Sequence, residues 1–362
     1  MAGNCPHRAR LNLRAGEWVE VRTEQEILET LDEHGRFENV PFMPEMVQYC
    51  GQRLKVFKRA DKTCDPAHAP WTIRRMKDSV HLERIRCDGV EHGGCEAGCL
   101  IFWKEAWLKR AEVSVVSPLS LRPTGAISVG GKCLCTVERL FAASHPTNPM
   151  GEGVYSCQAT ELRNFTSHMS GWDLRQYVRD VRSGNLRSGL AGDSRVERAL
   201  EVVLGFLPVL RSLVITAYNK VWSTQHYSYP LIKGTAAKTP TAVLNLQPGE
   251  LVQVRSKEEI MATLNRHQRN RGLLFDVEML SYCGGIYRVL RRVNRIIDEK
   301  TGKMLNMKYP CIILEGVACR SDYHRLCPRA IYHYWREDWL RRAVEIPIGG
   351  QTEQMAESCA KQ

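Results

Sequence analysis

Cysteine and histidine are the residues of this chain whose types and spacing point to chemistry. The 362-residue sequence has 14 cysteines and 11 histidines, and two matched sets stand out. The first set is Cys50, Cys87, His92 and Cys95, and the second is Cys283, Cys319, His324 and Cys327. Three thiolates and one imidazole form a closed tetrahedral ligand set for zinc. The sequence therefore predicts two structural zinc sites.

The two sets match because the chain contains an internal repeat. Gly16 to Arg22 reads Gly-Glu-Trp-Val-Glu-Val-Arg, and Gly249 to Arg255 reads Gly-Glu-Leu-Val-Gln-Val-Arg. Identities with the same offset of 233 residues include Ile27/Ile260, Phe42/Phe275, Glu45/Glu278 and Tyr49/Tyr282. After a one-residue slip, Leu82/Leu314, Trp103/Trp335 and Trp107/Trp339 match at an offset of 232. So many identities in order along the chain indicate a single module present twice.

Each copy must position its ligands with a small set of elements. Alternating Val19 and Val21 predict a half-buried strand, and Thr23 with Glu26 predicts a capping box that starts a helix. The helix is expected to end near Gly35, and the second copy repeats the pattern. We expect a mostly antiparallel sheet or half-barrel with one helix. The opening Gly-Glu-x-Val-x-Val is similar to that of SH3-like barrels, but it is too short and common to assign a family.

Buried free cysteines are the alternative to zinc, because an unliganded cysteine packs as a small hydrophobic residue. That alternative predicts that the cysteine positions are substituted independently in the two copies. Other cysteines do differ between the copies, since Cys64 faces Ile297 and Cys99 faces Ile331. Retention of all four ligand types in both copies therefore favours metal.

A third group of cysteines, Cys133, Cys135 and Cys157, has no counterpart in the repeat. It fits a third metal site, structural or with an exchangeable position, but also a redox thiol pair or buried thiols. Adding Cys99 makes iron–sulfur ligation conceivable, although no standard cluster spacing occurs. The sequence contains no phosphate-binding P-loop, no dinucleotide-binding glycine motif, no His-Glu-x-x-His and no Gly-x-Ser-x-Gly.

Basic clusters give the main hint about a partner. The chain has 51 Lys and Arg against 40 Asp and Glu, a net charge of +11. The residues predicted to contact phosphates are Lys55, Lys58, Arg59, Arg288, Arg291 and Arg292. Two further clusters are Arg74, Arg75 and Lys77, and a helical stripe of Arg175, Arg179 and Arg182. Such clusters attract nucleic acid, although each one alone is more typical of a solvated surface.

The fold class predicted from these patterns is α+β. Residues 1–115 and 241–347 form the two zinc-stapled modules, residues 116–240 a mainly helical middle segment, and residues 348–362 a flexible tail. The middle segment is expected to be helical over residues 160–183 and again over about 195–222, with a kink at Pro208. Hydrophobic residues make up 43% of the chain and charged residues 25%, which excludes wholesale disorder.

Localisation is expected to be cytoplasmic with no membrane contact. The N-terminal residues lack the apolar core of a secretory signal, and charge and proline interrupt the longest apolar stretch at residues 199–215. Many cysteines in a reducing compartment favour metal ligands over disulfides.

Two functions from different classes follow. The first is a zinc-binding adaptor in which the paired modules grip RNA, DNA or a protein partner. The second is a metal- or thiol-dependent enzyme with its site at Cys133, Cys135 and Cys157. The sequence does not name a substrate, a reaction, a pathway or an oligomeric state.

Overall fold

Short helices and several small antiparallel sheets make up the chain, which agrees with the predicted α+β class. The computed structural model describes residues 10–68, 72–111, 135–145, 153–186, 195–222, 232 and 234–343. The predicted tail and Cys133 lie outside these residues. The chain divides into two compact units. Unit 1 comprises residues 1–231, 293–308 and 318–332, and unit 2 comprises residues 232–292, 309–317 and 333–362.

Unit 1 holds most of the regular elements. Its strands are β1 (Trp18–Val21), β2 (Arg36–Phe37), β3 (Val40–Pro41), β4 (Arg53–Arg59), β5 (Lys62–Asp65), β6 (Thr72–Arg75), β7 (Ser79–Leu82), β8 (Trp103–Lys104), β9 (Leu108–Arg110) and β10 (Ser167–His168). Its helices are α1 (Glu24–Leu28), α2 (Val137–Ser144), α3 (Leu162–Phe165), α4 (Arg175–Arg182) and α5 (Arg195–Trp222).

The main sheet of unit 1 has the strand order β8-β7-β4-β1-β9, with antiparallel neighbours. Val19 lies opposite Leu54 on one side and Arg110 on the other. Val19 and Val21 are fully buried, as their alternation predicted. A smaller sheet, β10-β6-β5, extends the unit.

The paired tryptophans of the first copy anchor the core, but they do not share a helix face as their four-residue spacing suggested. Trp103 lies on β8, and Trp107 ends a short 3₁₀ helix, Glu105–Trp107. Both are fully buried and meet Phe42 edge to face. The expectation that they form a core wedge is confirmed.

Glu105 fastens the N-terminal segment to this core. Its carboxylate accepts the N–H groups of Leu11, Asn12 and Leu13 at 2.8, 3.0 and 2.9 Å. Arg59 donates to the same carboxylate at 2.6 Å. Because the Glu105 side chain is only 2% exposed, these four bonds form in a largely water-free site.

The helices match the sequence predictions in some places and differ in others. The capping box of Thr23 and Glu26 is present, but α1 ends at Leu28 rather than near Gly35. Asp32 shapes the turn beyond the helix, because its side chain accepts the N–H groups of His34 and Arg36. Residues 160–183 were expected to be one helix but form α3 and α4, with β10 between them.

Helix α5 spans Arg195–Trp222 with Pro208 inside it, as predicted. In the part of the chain that the structure describes, no helix combines the length and the apolar character that a membrane span requires.

Unit 2 contains further strands and a helix. They are β11 (Leu251–Val254), α6 (Lys257–Ala262), β12 (Arg269–Asn270), β13 (Leu273–Leu274), β16 (Leu340–Arg342) and the parts of β14 (Ile286–Ile297) and β15 (Met304–Leu314) that fall within it. The sheet order is β15-β14-β11-β16. Its core contains fully buried Trp335, Trp339 and Phe275. Helix α6 starts with the predicted capping box of Ser256 and Glu259.

Glu337 makes the same contacts in unit 2 that Glu105 makes in unit 1. It accepts the N–H groups of Leu244, Asn245 and Leu246, and Arg292 donates to it at 2.7 Å.

Candidate metal centre

Three short segments of unit 1 converge on one buried point. Glu45 lies in a 3₁₀ helix, Pro44–Tyr49, whose start is favoured by the fixed φ of Pro44. Cys87 follows β7 and is held by its own N–H, which donates to the carbonyl of Cys99 at 2.9 Å. His92 ends the 3₁₀ helix Val90–His92.

Glycines shape the loop that carries Cys87 and His92. Gly89 and Gly93 flank the 3₁₀ helix with φ of 73° and 62°, values in the left-handed region. A Cβ on Gly89 would lie 2.0 Å from the carbonyl oxygen of Cys95, so only glycine fits there. The N–H of Cys95 in turn donates to the carbonyl of His92 at 3.2 Å. The loop therefore folds back on itself and presents His92 inward.

The ligand atoms of Glu45, Cys87 and His92 all lie within 4.8 Å of one another. His92 Nδ1 is 2.5 Å from Glu45 Oε1, and Cys87 Sγ is 3.7 Å from the same oxygen. The side chains of His92 and Glu45 are 1% and 2% exposed. A carboxylate, a thiol and an imidazole thus meet in a dry site.

Within this cluster the Cys87 thiol donates to Glu45 Oε1 at 3.7 Å, but no hydrogen-bond donor in the described part of the chain reaches the other oxygen of Glu45. His92 Nε2 lies 3.1 Å from the carbonyl of Ser156, which only accepts, so Nε2 carries a proton. In the neutral ring, Nδ1 then holds a lone pair that points at a carboxylate oxygen. Among the described residues, Glu45 Oε2 is also buried without a hydrogen-bond partner. A cation between these atoms resolves both conflicts, and the residues present fit a metal ion.

Charge reinforces this fit. Burial, followed by the nearby Glu45 carboxylate and the Cys99 and Cys157 thiols, raises the pKa of Cys87 far above its usual value. Without a metal, the thiol therefore stays protonated at neutral pH and is a poor nucleophile. A bound divalent cation would reverse the balance, because it stabilises the thiolate directly.

A cavity of about 30 Å³ adjoins Cys87 and His92. Three further thiols, those of Cys95, Cys99 and Cys157, line it. Burial raises the pKa of Cys99 to about 12 and that of Cys157 to about 11. The cavity has room for a single water molecule, so a fourth metal ligand from a thiol or from water is sterically possible.

The first predicted ligand set is brought together only in part. Cys87 and His92 meet, and Glu45 joins them, but Cys50 and Cys95 are not in the cluster. Cys50 follows the 3₁₀ helix that carries Glu45, and burial together with Glu24 raises its pKa to about 11. Cys95 lines the cavity and accepts the N–H of Ile297 at 3.4 Å. The signal for Glu45 was already in the repeat, as the identity Glu45/Glu278.

The second predicted set is distributed between the units. Glu278 is buried in unit 2, where burial and then Glu258 also raise the pKa of Cys283 to about 11. Cys319, His324 and Cys327 belong to unit 1. The repeat places Glu278, Cys319 and His324 at the positions of Glu45, Cys87 and His92.

Cys327 receives several hydrogen bonds within unit 1. The N–H groups of Cys64 and Arg329 donate to its sulfur at 3.1 and 3.5 Å. Burial raises its pKa, but these bonds, a hydrogen bond from the Cys64 thiol and the Arg329 charge outweigh burial and lower it. Cys64 contacts Cys327 as its repeat counterpart Ile297 contacts Cys95. The position that differs between the copies therefore makes an equivalent contact in both.

The third cysteine group is separated in the residues that the structure describes. Cys135 is buried in the first core beside Leu140 of α2. Cys157 lines the cavity next to Cys87 instead. The middle segment thus contributes one thiol to the surroundings of the candidate metal centre.

Several residues predicted to contact phosphates have partners inside the protein. Arg59 pairs with Asp61 and Glu105, and Arg292 pairs with Glu337. Lys58 is partly buried, and burial lowers its pKa. The other three members of the set lie nearer to solvent. Lys55 pairs weakly with Glu83 at 3.6 Å, Arg288 is exposed and Arg291 is half-buried.

Comparisons with known proteins do not assign this chain to a family. A scan against protein-family models finds no match, and a search of the curated proteins finds no significant relative.

Proposed function

We propose that this chain is a zinc-stabilised binding protein, with Glu45, Cys87 and His92 as the zinc ligands of its first copy. The observation that carries the proposal is a carboxylate, a thiol and an imidazole whose ligand atoms lie within 4.8 Å of one another, with one buried Glu45 oxygen that has no hydrogen-bond partner among the described residues. One sulfur, one nitrogen and one carboxylate oxygen suit zinc, whereas calcium and magnesium prefer oxygen alone.

The role proposed for the ion is to join segments that are distant in the sequence. Glu45 and His92 are 47 positions apart in the sequence. Cys157, from the middle segment, lines the cavity that adjoins His92. A small β-rich module with a modest core gains stability from such a link. In this proposal the two sequence copies are zinc-stapled, SH3-like modules.

The enzyme alternative is less well supported by the residues at the cavity. A thiol nucleophile needs a lowered pKa, but burial raises the pKa of Cys157 to about 11. A binding role also agrees with the net charge of +11, and nucleic acid remains the first candidate partner.

Metal content of ligand variants tests the proposal. Untagged protein is expected to carry zinc by elemental analysis, and Glu45→Gln and His92→Gln should each carry one ion per chain fewer than the wild type. Cys50→Ser is the matched control, because it removes a ligand predicted from the sequence that lies outside the cluster. Full zinc in Cys50→Ser together with loss in Glu45→Gln supports the site.

Loss of zinc in Cys50→Ser together with full zinc in Glu45→Gln would support the set Cys50, Cys87, His92 and Cys95. That result overturns the proposed ligands. Cobalt substitution gives a second readout, since the intensity of thiolate-to-cobalt absorption rises with the number of cysteine ligands. One thiolate per ion is expected if water is the fourth ligand and two if a cavity thiol is, whereas three would support the alternative set. A metal-free wild-type protein refutes both sets.

A further inference from the structure

A wide basic pocket lies on unit 1, formed by residues other than the candidate zinc ligands. Its volume is about 450 Å³, within the range of small-ligand sites. Seven basic and two acidic side chains line it, an excess of five positive charges. It combines basic clusters that are far apart in the sequence, because Arg75 and Lys77 face the end of the arginine stripe on α4.

The two acidic residues of the pocket are already paired. Asp61 bonds Arg59 at 2.9 Å, and Asp78 bonds Arg10 at 3.0 Å. Three exposed cations, Arg14, Lys77 and Arg182, have no ion pair within the described part of the chain. These three charges are therefore available to a ligand.

The walls of the pocket are held in place by internal hydrogen bonds. The Glu105 carboxylate fixes the segment that leads to Arg14. The N–H of Ala15 donates to the carbonyl of Ser183, just after Arg182. Asn185 is bonded twice to the backbone of Arg59, at 2.8 and 2.9 Å, which ties the end of α4 to β4. The cations are thus carried on anchored backbone.

We infer that this pocket binds a ligand carrying several phosphate groups, with Arg14, Lys77 and Arg182 as the principal contacts. Arginine and lysine are the side chains that proteins use to bind phosphate. No aromatic side chain lines the pocket in the described residues, so base stacking does not contribute and recognition is independent of sequence. The inference deepens the proposed binding function but does not depend on zinc.

A ligand with several phosphate groups is either a nucleic acid strand or a free oligophosphate such as a nucleoside triphosphate. Fluorescence anisotropy with a labelled 12-nucleotide single strand, in DNA and RNA forms at 50 mM salt, measures the first. Competition by ATP and by tripolyphosphate measures the second. Displacement of the strand at micromolar ATP assigns the free oligophosphate, and displacement only at millimolar ATP assigns the strand.

The variant series locates the contacts. Arg14→Gln, Lys77→Gln and Arg182→Gln combined should weaken binding at least tenfold. The slope of log affinity against log salt should fall by about 2, since each phosphate contact contributes about 0.7 for single strands. The control removes three exposed charges of unit 2 and of the turn after β14, as Lys257→Gln, Arg266→Gln and Lys300→Gln. It should retain wild-type affinity within twofold.

Equal weakening in both triple variants, or wild-type affinity in the pocket variant, overturns the inference, as does a wild-type protein that binds neither probe. Zinc content measured on the same samples separates this result from the zinc proposal. A pocket variant with full zinc and lost binding supports both ideas. A protein without zinc that still binds the strand through these residues refutes only the metal site.

Discussion

Replacing Glu105 by glutamine should remove much of the stability of unit 1. The carboxylate accepts four hydrogen bonds, two on each oxygen, from three backbone N–H groups and Arg59. In Glu105→Gln, the amide nitrogen takes the place of one oxygen and faces two donors. Two bonds are then lost in either orientation of the amide, and the charge opposite Arg59 is lost as well.

The expected cost follows from the number and the burial of these bonds. A hydrogen bond to a charged group contributes about 1.5–3 kcal/mol, so two lost bonds cost about 3–6 kcal/mol. That is a large share of the roughly 5–15 kcal/mol that stabilises a typical domain. Glu337→Gln should cost unit 2 a similar amount, because Glu337 accepts the same four bonds.

Urea unfolding followed by tryptophan fluorescence measures the effect. Glu83→Gln is the control, because its pair with Lys55 is 3.6 Å long and exposed, and it should cost under about 0.5 kcal/mol. A loss below 1 kcal/mol in Glu105→Gln with an unchanged denaturant slope would refute the reasoning.

The effect of this variant should also depend on pH. Burial raises the pKa of Glu105, but the N–H of Leu13 and the charge of Arg59 outweigh it and lower the pKa below that of the unfolded chain. Its stabilisation is therefore complete above about pH 4.3 and is lost as pH falls through the folded pKa. The difference between variant and wild type should shrink below that pH.

Three further predictions concern buried polar groups, and each is checked by unfolding free energies. Lys62→Met should cost about 3–5 kcal/mol, because it leaves Asp180, 2.5 Å from Lys62 Nζ, buried without its partner; a cost below 1 kcal/mol contradicts this. Thr263→Val should cost about 1–3 kcal/mol by removing the acceptor of the Trp339 indole at 2.9 Å, whereas no change would show that the indole finds another acceptor. Burial lowers the pKa of His81 to about 3, so folded protein should lose about 1.4 kcal/mol per pH unit from this residue as pH falls below about 6.5; His81→Phe should flatten that dependence between pH 6 and 4.5, and an unchanged slope would contradict it.

The sequence predicted local structure best where one residue type has one physical role. The capping boxes and the boundaries of α5 depend on neighbouring residues, and the structure has them as predicted. The tryptophan spacing was misleading because a four-residue interval also fits a strand followed by a 3₁₀ helix. Residues 160–183 likewise contain enough apolar positions for one helix, but Ser167 and His168 pair with β6 instead.

The candidate site was predictable only in its metal-binding character. Local spacing paired Cys87 with His92, because both lie on one glycine-rich loop. Glu45 comes from a distant segment, and a glutamate in a repeat is as typical of a surface as of a metal site. Its burial to 2% side-chain exposure is a tertiary property that no local pattern contains. The basic pocket was hidden for the same reason, since its walls come from four separate segments.

The contact between Cys95 and Ile297 has a consequence for the order in which the protein is made. His92 and Cys95 are synthesised first, and Ile297 follows about 200 residues later. At ordinary rates of synthesis this takes ~10–40 s. Arg329, which also lines the cavity, follows later still. During that interval the cavity that holds the thiols of Cys87, Cys95, Cys99 and Cys157 lacks two of the side chains that line it in the folded protein.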